Sequence, residues 1–157
     1  MSTNTATQNH PAITSDHLRR LAVVYMRQST EEQVQKKTGS TQYQRNLAEI
    51  AREYGWLDSQ IKIIDEDLGK SGSTTERRTG LQRLHEMIEA DQVGAVFVAN
   101  ISRIGRQVLD VEIFRLQAAF HNTLLYSDGQ FSNPGDSNDT IFSQMTAMFA
   151  HLKTANE

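Results

Sequence analysis

An arginine and a serine two residues apart, Arg27 and Ser29, follow the apolar run Leu21-Ala22-Val23-Val24-Tyr25, where a buried strand is expected to open into a loop. Alternate residues of an extended chain share one side, so both side chains can face the same small target. A second cationic pair, Arg103 and Arg106, follows the run Val93-Gly94-Ala95-Val96-Phe97-Val98-Ala99. Guanidinium groups bind phosphoryl oxygens bidentately and neutralise charge as it develops, so a serine hydroxyl among arginines suits attack on a phosphate. A hydrolase of the Ser-His-Asp type needs a base beside its serine. The histidines fall elsewhere: His10 and His17 near the start, and His85, His121 and His151 on or beside expected helices. Neither GxxxxGK[ST] nor GxGxxG occurs, which leaves a nucleotide cradle unsupported.

The arginines need elements to carry them, and the chain alternates short apolar runs with helical periods. Leu21–Met26, Ile61–Ile64, Ala95–Val98 and Thr123–Tyr126 read as strands. Between them lie helices over Thr41–Tyr54 (Leu47, Ile50, Ala51 and Tyr54 on one face), Gly80–Ala90 (Leu81, Leu84, Ile88) and Val108–His121 (Leu109, Ile113, Leu116, Phe120). Thr41 with Gln44 reads as a capping box opening the first of these, and Gly55-Trp56 as its end, with Trp56 a packed anchor. Strands separated by helices imply an α/β fold of three layers: a mainly parallel central sheet flanked by helices. Active sites of such sheets form at the carboxyl edge. Three loops open there: one carries Arg27, Ser29 and Gln33, the next Asp67, Ser71 and Arg78, and the third Arg103 and Arg106.

Residues 1–17 are polar and aperiodic and read as a disordered leader, 18–137 as the α/β domain, and 138–157 as the start of an interface helix. A Gly/Ser/Asn/Asp/Pro stretch from Asp128 to Asp139 is read as a loop. Beyond it Ile141, Met145, Met148, Phe149 and Leu152 form a helical stripe, which docks on the domain's own core or awaits a partner helix. No cap follows that helix, so the chain is expected to be part of something longer. A chain of 157 residues suffices for one substantial core. The absence of cysteine excludes thiolate chemistry and fits a cytoplasmic protein, and no apolar run is long enough to span a membrane. A net charge of −3 argues against a duplex-binding surface, yet Arg27, Arg77, Arg78, Arg103 and Arg106 all fall in loop-like segments, so a basic pocket fits on an acidic domain.

Five segments in order resemble the serine recombinases, the family of resolvases, invertases, transposon recombinases and large serine integrases. They are Tyr25-Met26-Arg27-Gln28-Ser29-Thr30 with Gln33, Ser40-Thr41-Gln42, Asp67-Leu68-Gly69-Lys70-Ser71-Gly72, Arg78-Thr79-Gly80-Leu81, and Ser102-Arg103-Ile104-Gly105-Arg106. In detail they look closer to the larger recombinases, and the resemblance spans Arg20 to Glu157. It implies a resolvase-like catalytic domain in which Ser29 attacks a DNA phosphodiester, leaving a 5′-phosphoserine link and a free 3′-hydroxyl, with no cofactor, metal or ATP. Arg27, Arg78, Arg103 and Arg106 would hold the phosphate oxygens, Asp67 would transfer a proton or orient an arginine, and Gln33 would fix the loop. It further implies a homodimer assembling to a tetramer on DNA, with the DNA-binding domain outside this sequence. Small resolvases commonly carry Asp where Ser102 stands, which leaves open what orients Arg103.

Two other classes compete. The run Asp65-Glu66-Asp67, with Asp128 at another strand end, suits Mg²⁺ in a nuclease or phosphotransferase. A catalytically silent dimerisation domain is the third reading, carried by the terminal stripe.

Overall fold

The computed structural model describes residues 10–27, 37–65, 67, 79–105 and 107–135, with backbone only for 37–44. In chain order the elements are α1 (Ser15–Arg19), β1 (Leu21–Tyr25), α2 (Lys37–Glu53), a 3-10 turn (Asp58–Gln60), β2 (Ile61–Ile64), α3 (Thr79–Glu89), β3 (Val93–Phe97), a second 3-10 turn (Ile101–Arg103), α4 (Val108–Phe120), β4 (Leu124–Ser127) and β5 (Gln130–Ser132). The sheet runs β2-β1-β3-β4-β5. β1 pairs parallel with β2 (Val24↔Ile63) and with β3 (Val24↔Phe97), β3 pairs parallel with β4, and β5 returns antiparallel on β4.

β1 is buried on both faces because its alternate residues feed two separate cores, as expected of a parallel strand covered on each side. Val23 and Tyr25 pack with Leu84 and Ile88 of α3, Phe114 of α4, and Val96 and Leu125. Ala22, Val24 and Met26 pack on the opposite face with Leu47 and Ala51 of α2, Trp56, Phe97 and Phe131. The three-layer α/β expectation is met. Each fully buried aliphatic side chain contributes about 1.5–3 kcal/mol, so a one-residue slip of β1, which exchanges its two faces, is strongly opposed.

α2, α3 and α4 each turn into the next segment through a residue of positive φ: Gly55 (118°), Asp91 (59°) and Asn122 (52°). After these, Trp56 N–H returns to Ala51 O, Gln92 N–H to Met87 O and Thr123 N–H to Ala118 O, satisfying carbonyls that a helix end would strand. Trp56 is the expected anchor. Its ring is 1% exposed and lies edge-on to Phe97 at 5.7 Å and stacked on Phe131 at 6.4 Å.

Four expectations are corrected. The leader does not extend to residue 17: Ala12, Ile13 and Leu18 pack on the α2 face of the sheet and His17 is buried, because a few apolar side chains suffice to hold a short polar segment. α2 begins at Lys37, so Thr41 lies one turn inside the helix and is not its N-cap. On α4 the buried row is Phe114 and Ala118, whereas Leu109, Ile113 and Phe120 are exposed, the last at 89%. That helix carries two apolar rows, and periodicity alone does not say which meets the sheet. Finally, Gln130–Ser132 forms β5 inside the stretch read as loop. Asp128 and Gly129, both at positive φ, make the tight hairpin turn that connects it to β4.

Ser29, Gln33, Glu66, Ser71, Arg77, Arg78 and Arg106 lie outside the described residues, as do Ile141, Met145, Met148, Phe149 and Leu152.

Candidate active site

The order β2-β1-β3 sends the chain outward from β1 and then back to its other side, so connections diverge between β1 and β3. That is where doubly wound sheets form their crevice, outside the carboxyl ends of the strands. Arg27 follows β1 there and Arg103 follows β3. Met26 N–H donates to Ile64 O at 2.9 Å, carrying the β1–β2 ladder one residue past the strand and fixing where the next side chain emerges.

Arg27 is 2% exposed. Its Nε donates to Arg103 O at 3.0 Å and its Nη2 to Ser102 O at 2.6 Å. A buried guanidinium needs acceptors, and the 3-10 turn Ile101–Arg103 supplies them from its backbone. Arg27 therefore ties the loop leaving β1 to the loop leaving β3, and the two sequence-distant arginine motifs meet. Ile104, 1% exposed, anchors the turn in the core from below.

Ser102 has a definite place as well. Its hydroxyl hydrogen bonds Asn100 Oδ1, and its carbonyl accepts from Arg27. Gly105 is a steric requirement: a Cβ there would stand 2.7 Å from Cβ of Asp110, in the first turn of α4.

Asp67 has a definite structural place. The side chain is fully buried, and both oxygens are engaged: Oδ1 accepts Gly80 N–H at 2.9 Å, while Oδ2 accepts Leu81 N–H at 2.8 Å and the Tyr25 hydroxyl at 2.6 Å. The carboxylate thus caps the amino end of α3 and complements its dipole. Among the described residues the partners of this carboxylate are the start of α3 and, through Tyr25, β1. Gly80 permits it, since a Cβ at that position would lie 2.9 Å from Ile64 Cγ2 and 3.1 Å from Asp67 Cγ. Tyr25 is the residue that sequence reasoning missed. Its signal was present, because Tyr is the one polar-tipped side chain of an otherwise aliphatic strand.

The sequence model of the family described as "Resolvase, N terminal domain" matches residues 22–156. The chain belongs to that family. A curated relative, uncharacterized protein y4bA/y4pH of Sinorhizobium fredii (strain NBRC 101917 / NGR234), is 34% identical over 129 residues, or 82% of this chain. The chain spans 19% of that relative's length. Among solved structures, the N-terminal catalytic domain of TP901-1 integrase superposes with a TM-score of 0.57 at 19% identity, covering 88% of this chain and 100% of that one. A resolvase family site-specific recombinase from Streptococcus pneumoniae gives 0.58 at 24% identity, covering 87% and 89%. A serine recombinase from Sulfolobus solfataricus gives 0.55 at 22%, covering 85% and 82%. At these identities the structural likeness is one of fold.

Within this resolvase-family domain the acidic run does not form a cation site from its described members. Asp65 is exposed, whereas Asp67 is turned inward with its oxygens taken by N–H and O–H donors. Among the described residues no three His, Cys, Asp or Glu side chains cluster in a metal-binding arrangement. No helix among them is long and apolar enough to cross a membrane.

Proposed function

We propose that this chain is the catalytic domain of a site-specific DNA recombinase that cuts and rejoins DNA through a covalent serine link. Ser29 Oγ attacks a DNA phosphorus, the P–O3′ bond breaks, and the 3′-oxygen leaves as a hydroxyl while the 5′-phosphate stays on Ser29. After strand exchange a 3′-hydroxyl attacks the phosphoserine and regenerates the free serine, so phosphodiester energy is stored and no ATP is consumed. Arg27, Arg78, Arg103 and Arg106 stabilise the developing phosphoryl charge, and Gln33 holds the loop around Ser29. DNA and further copies of the chain are the partners. Four serines cut two duplexes, which calls for a dimer that becomes a tetramer, with Ile141, Met145, Met148, Phe149 and Leu152 at the interface. The exposed row Leu109, Ile113 and Phe120 on α4 fits an assembling surface too.

The observation that carries the reading is the junction of Arg27 with the Ser102–Arg103 turn at the switch point, two residues before Ser29. It joins the two arginine motifs of a family member into one cationic edge. The experiment is to trap a protein–DNA adduct on a nicked duplex carrying the recombination site, in which the released fragment cannot religate.

Two predictions accompany the trap. Chelating divalent cations leaves the adduct yield unchanged within about twofold, because the arginines supply the charge that a metal supplies elsewhere. Strict Mg²⁺ dependence in the same assay would favour the Asp65-Glu66-Asp67 reading. Arg103→Lys and Arg106→Lys each slow cleavage by about 10²–10³, the usual effect of removing one oriented transition-state donor, since an ammonium keeps the charge but loses the planar fork. Rates near wild type for both, measured by single-turnover cleavage, would make these side chains structural.

A further inference from the structure

The segment from His10 to Arg20 lies ahead of the family match, which starts at residue 22, and it is built into the fold at the edge opposite the arginines. His17 O occupies the space a Cβ on residue 94 would need, 2.1 Å away, so α1 rests directly on the backbone of β3. The same carbonyl accepts the Trp56 indole N–H at 3.0 Å. Gln60 Nε2 donates to Leu18 O at 2.8 Å, and Arg20 reaches under the sheet to Val93 O at 2.7 Å, His121 O at 3.1 Å and Asn122 O at 2.6 Å. The segment is a strap across the amino ends of the strands.

At its centre is an imidazole, 1% exposed, in one tautomer. Thr14 N–H is 2.9 Å from His17 Nδ1, and a backbone N–H only donates, so Nδ1 carries no proton. On the other side, Asn122 Nδ2 donates to Asp16 Oδ2 at 3.1 Å, which turns Asn122 Oδ1 toward His17 Nε2 at 3.3 Å to accept its proton. A second proton on Nδ1 would face the Thr14 N–H, a donor, at hydrogen-bond distance. Thr14 Oγ1, 3.0 Å away, can take that proton only by releasing the backbone N–H from its partner. Arg20, salt-bridged to Asp16 at 2.9 Å, adds positive charge nearby.

We propose that the strap is a proton-gated latch: neutral His17 holds it closed over Trp56, and protonation of His17 releases it while the sheet stays folded. The charged groups around His17 are Asp16 and Arg19 on α1, Arg20 just after it, and His121 from the α4–β4 turn with Asp91 and Glu89 opposite it. Facing it from β3 are the Val93 and Gly94 backbones, and from the α2–β2 connection the Trp56 indole. Burial holds the His17 pKa below the usual value, with Arg20 acting in the same direction and Asn122 and Asp16 against it. For Asp16, burial raises the pKa, but Asn122, Arg20 and Arg19 outweigh that and leave it lowered, so Asp16 stays ionised through the window that matters. A histidine whose closed-state pKa is depressed stabilises the closed form fully above the open-state pKa of about 6.5, and that stability is lost as pH falls from there toward the closed-state value.

Trp56 is the one tryptophan of the chain and reports directly on the latch. Between pH 7.5 and 5.5 its emission should shift red and its quenching by acrylamide rise, with far-ultraviolet circular dichroism unchanged. As pH falls below about 6.5 the opening constant, read from hydrogen exchange at the Thr14 amide after correction for intrinsic rates, should rise, by at most about tenfold per pH unit for the one proton taken up. His17→Asn, whose Oδ1 accepts the Thr14 N–H without titrating, should abolish the slope. His10→Asn and His121→Gln should retain it; His10 also takes a backbone N–H on Nδ1, from Ala12 at 3.1 Å. A slope that survives in His17→Asn, one that vanishes in His10→Asn or His121→Gln, or exposure of Trp56 only with global unfolding would overturn the latch. In the unsubstituted protein, nuclear magnetic resonance titration of the His17 ring must show the same midpoint as the Trp56 transition, and separate midpoints would overturn it equally.

Discussion

Ser29→Ala abolishes the covalent protein–DNA adduct and leaves the thermal transition of the domain where it was. On the proposed mechanism Ser29 Oγ is the one atom for which the arginines have no substitute, and without it no bond to phosphorus forms, whatever charge stabilisation remains. A fall in adduct yield of at least about 10³ is the expected scale, since losing the nucleophile of an enzyme that works by covalent capture leaves only background chemistry. The stability half of the result separates chemistry from folding. Substitutions away from cores, caps and buried networks usually change stability by within about 0.5 kcal/mol, and that is the expected scale here. An alanine variant that forms the adduct at normal yield on a denaturing gel would remove Ser29 from the mechanism. One that loses both adduct and fold would make the serine a structural residue.

Much of the fold was legible because its signals are local. The runs at Leu21, Ile61, Val93 and Thr123 are short, apolar and β-branched, and each is followed or preceded by a helical period, so a parallel sheet covered on both faces was the one economical arrangement. β5 was missed by weighing composition over turn chemistry. Asp128-Gly129 is a hairpin signal, but it sits at the head of a Gly- and Asn-rich stretch, and three residues make a weak strand. The row on α4 was misread for a different reason. Leu109, Ile113, Leu116 and Phe120 have good helical spacing, yet Phe114 and Ala118 meet the sheet, and only the tilt of the helix, a tertiary property, decides between rows.

Residue types at the site were readable, but their contacts were not. Arg27 read as a phosphate ligand from its neighbours in sequence. Its bonds to Ser102 O and Arg103 O are made across 75 and 76 residues and follow only from β1 and β3 being adjacent. Trp56 is similar: its ring partners Phe97 and Phe131 come from two strands distant in sequence. The strap escaped notice because a polar, aperiodic segment reads as unstructured. Beside the contacts of Ala12, Ile13 and Leu18, what holds it is a set of side-chain to backbone hydrogen bonds, and these have no period.

Asp67→Ala is expected to be the most destabilising single substitution at the site edge. It strands Gly80 N–H, Leu81 N–H and the Tyr25 hydroxyl in a fully buried position, and each buried donor left without an acceptor costs about 1–3 kcal/mol. With partial relaxation the total is about 3–5 kcal/mol, a large share of the 5–15 kcal/mol that holds a typical domain together. Asp67→Asn keeps one oxygen for Gly80 N–H, and the Tyr25 hydroxyl can rotate to accept from the new amide, so about 1–2 kcal/mol is the expected loss. Tyr25→Phe removes the hydrogen bond to Asp67 and should cost about 1 kcal/mol. Urea denaturation orders the three, and cleavage assays on the same proteins separate cap from catalyst. As a cap, Asp67 should let the asparagine variant cleave within about tenfold of wild type at a temperature where it is folded, because α3, whose first residue Thr79 follows Arg78, is still held. As a proton-transfer group it would lose about 10²–10⁴ in rate on the same change with its stability nearly intact. A stable, inactive Asp67→Asn protein would therefore return this carboxylate to the chemistry, whereas a slightly weakened, active one would assign it to holding α3 against β1.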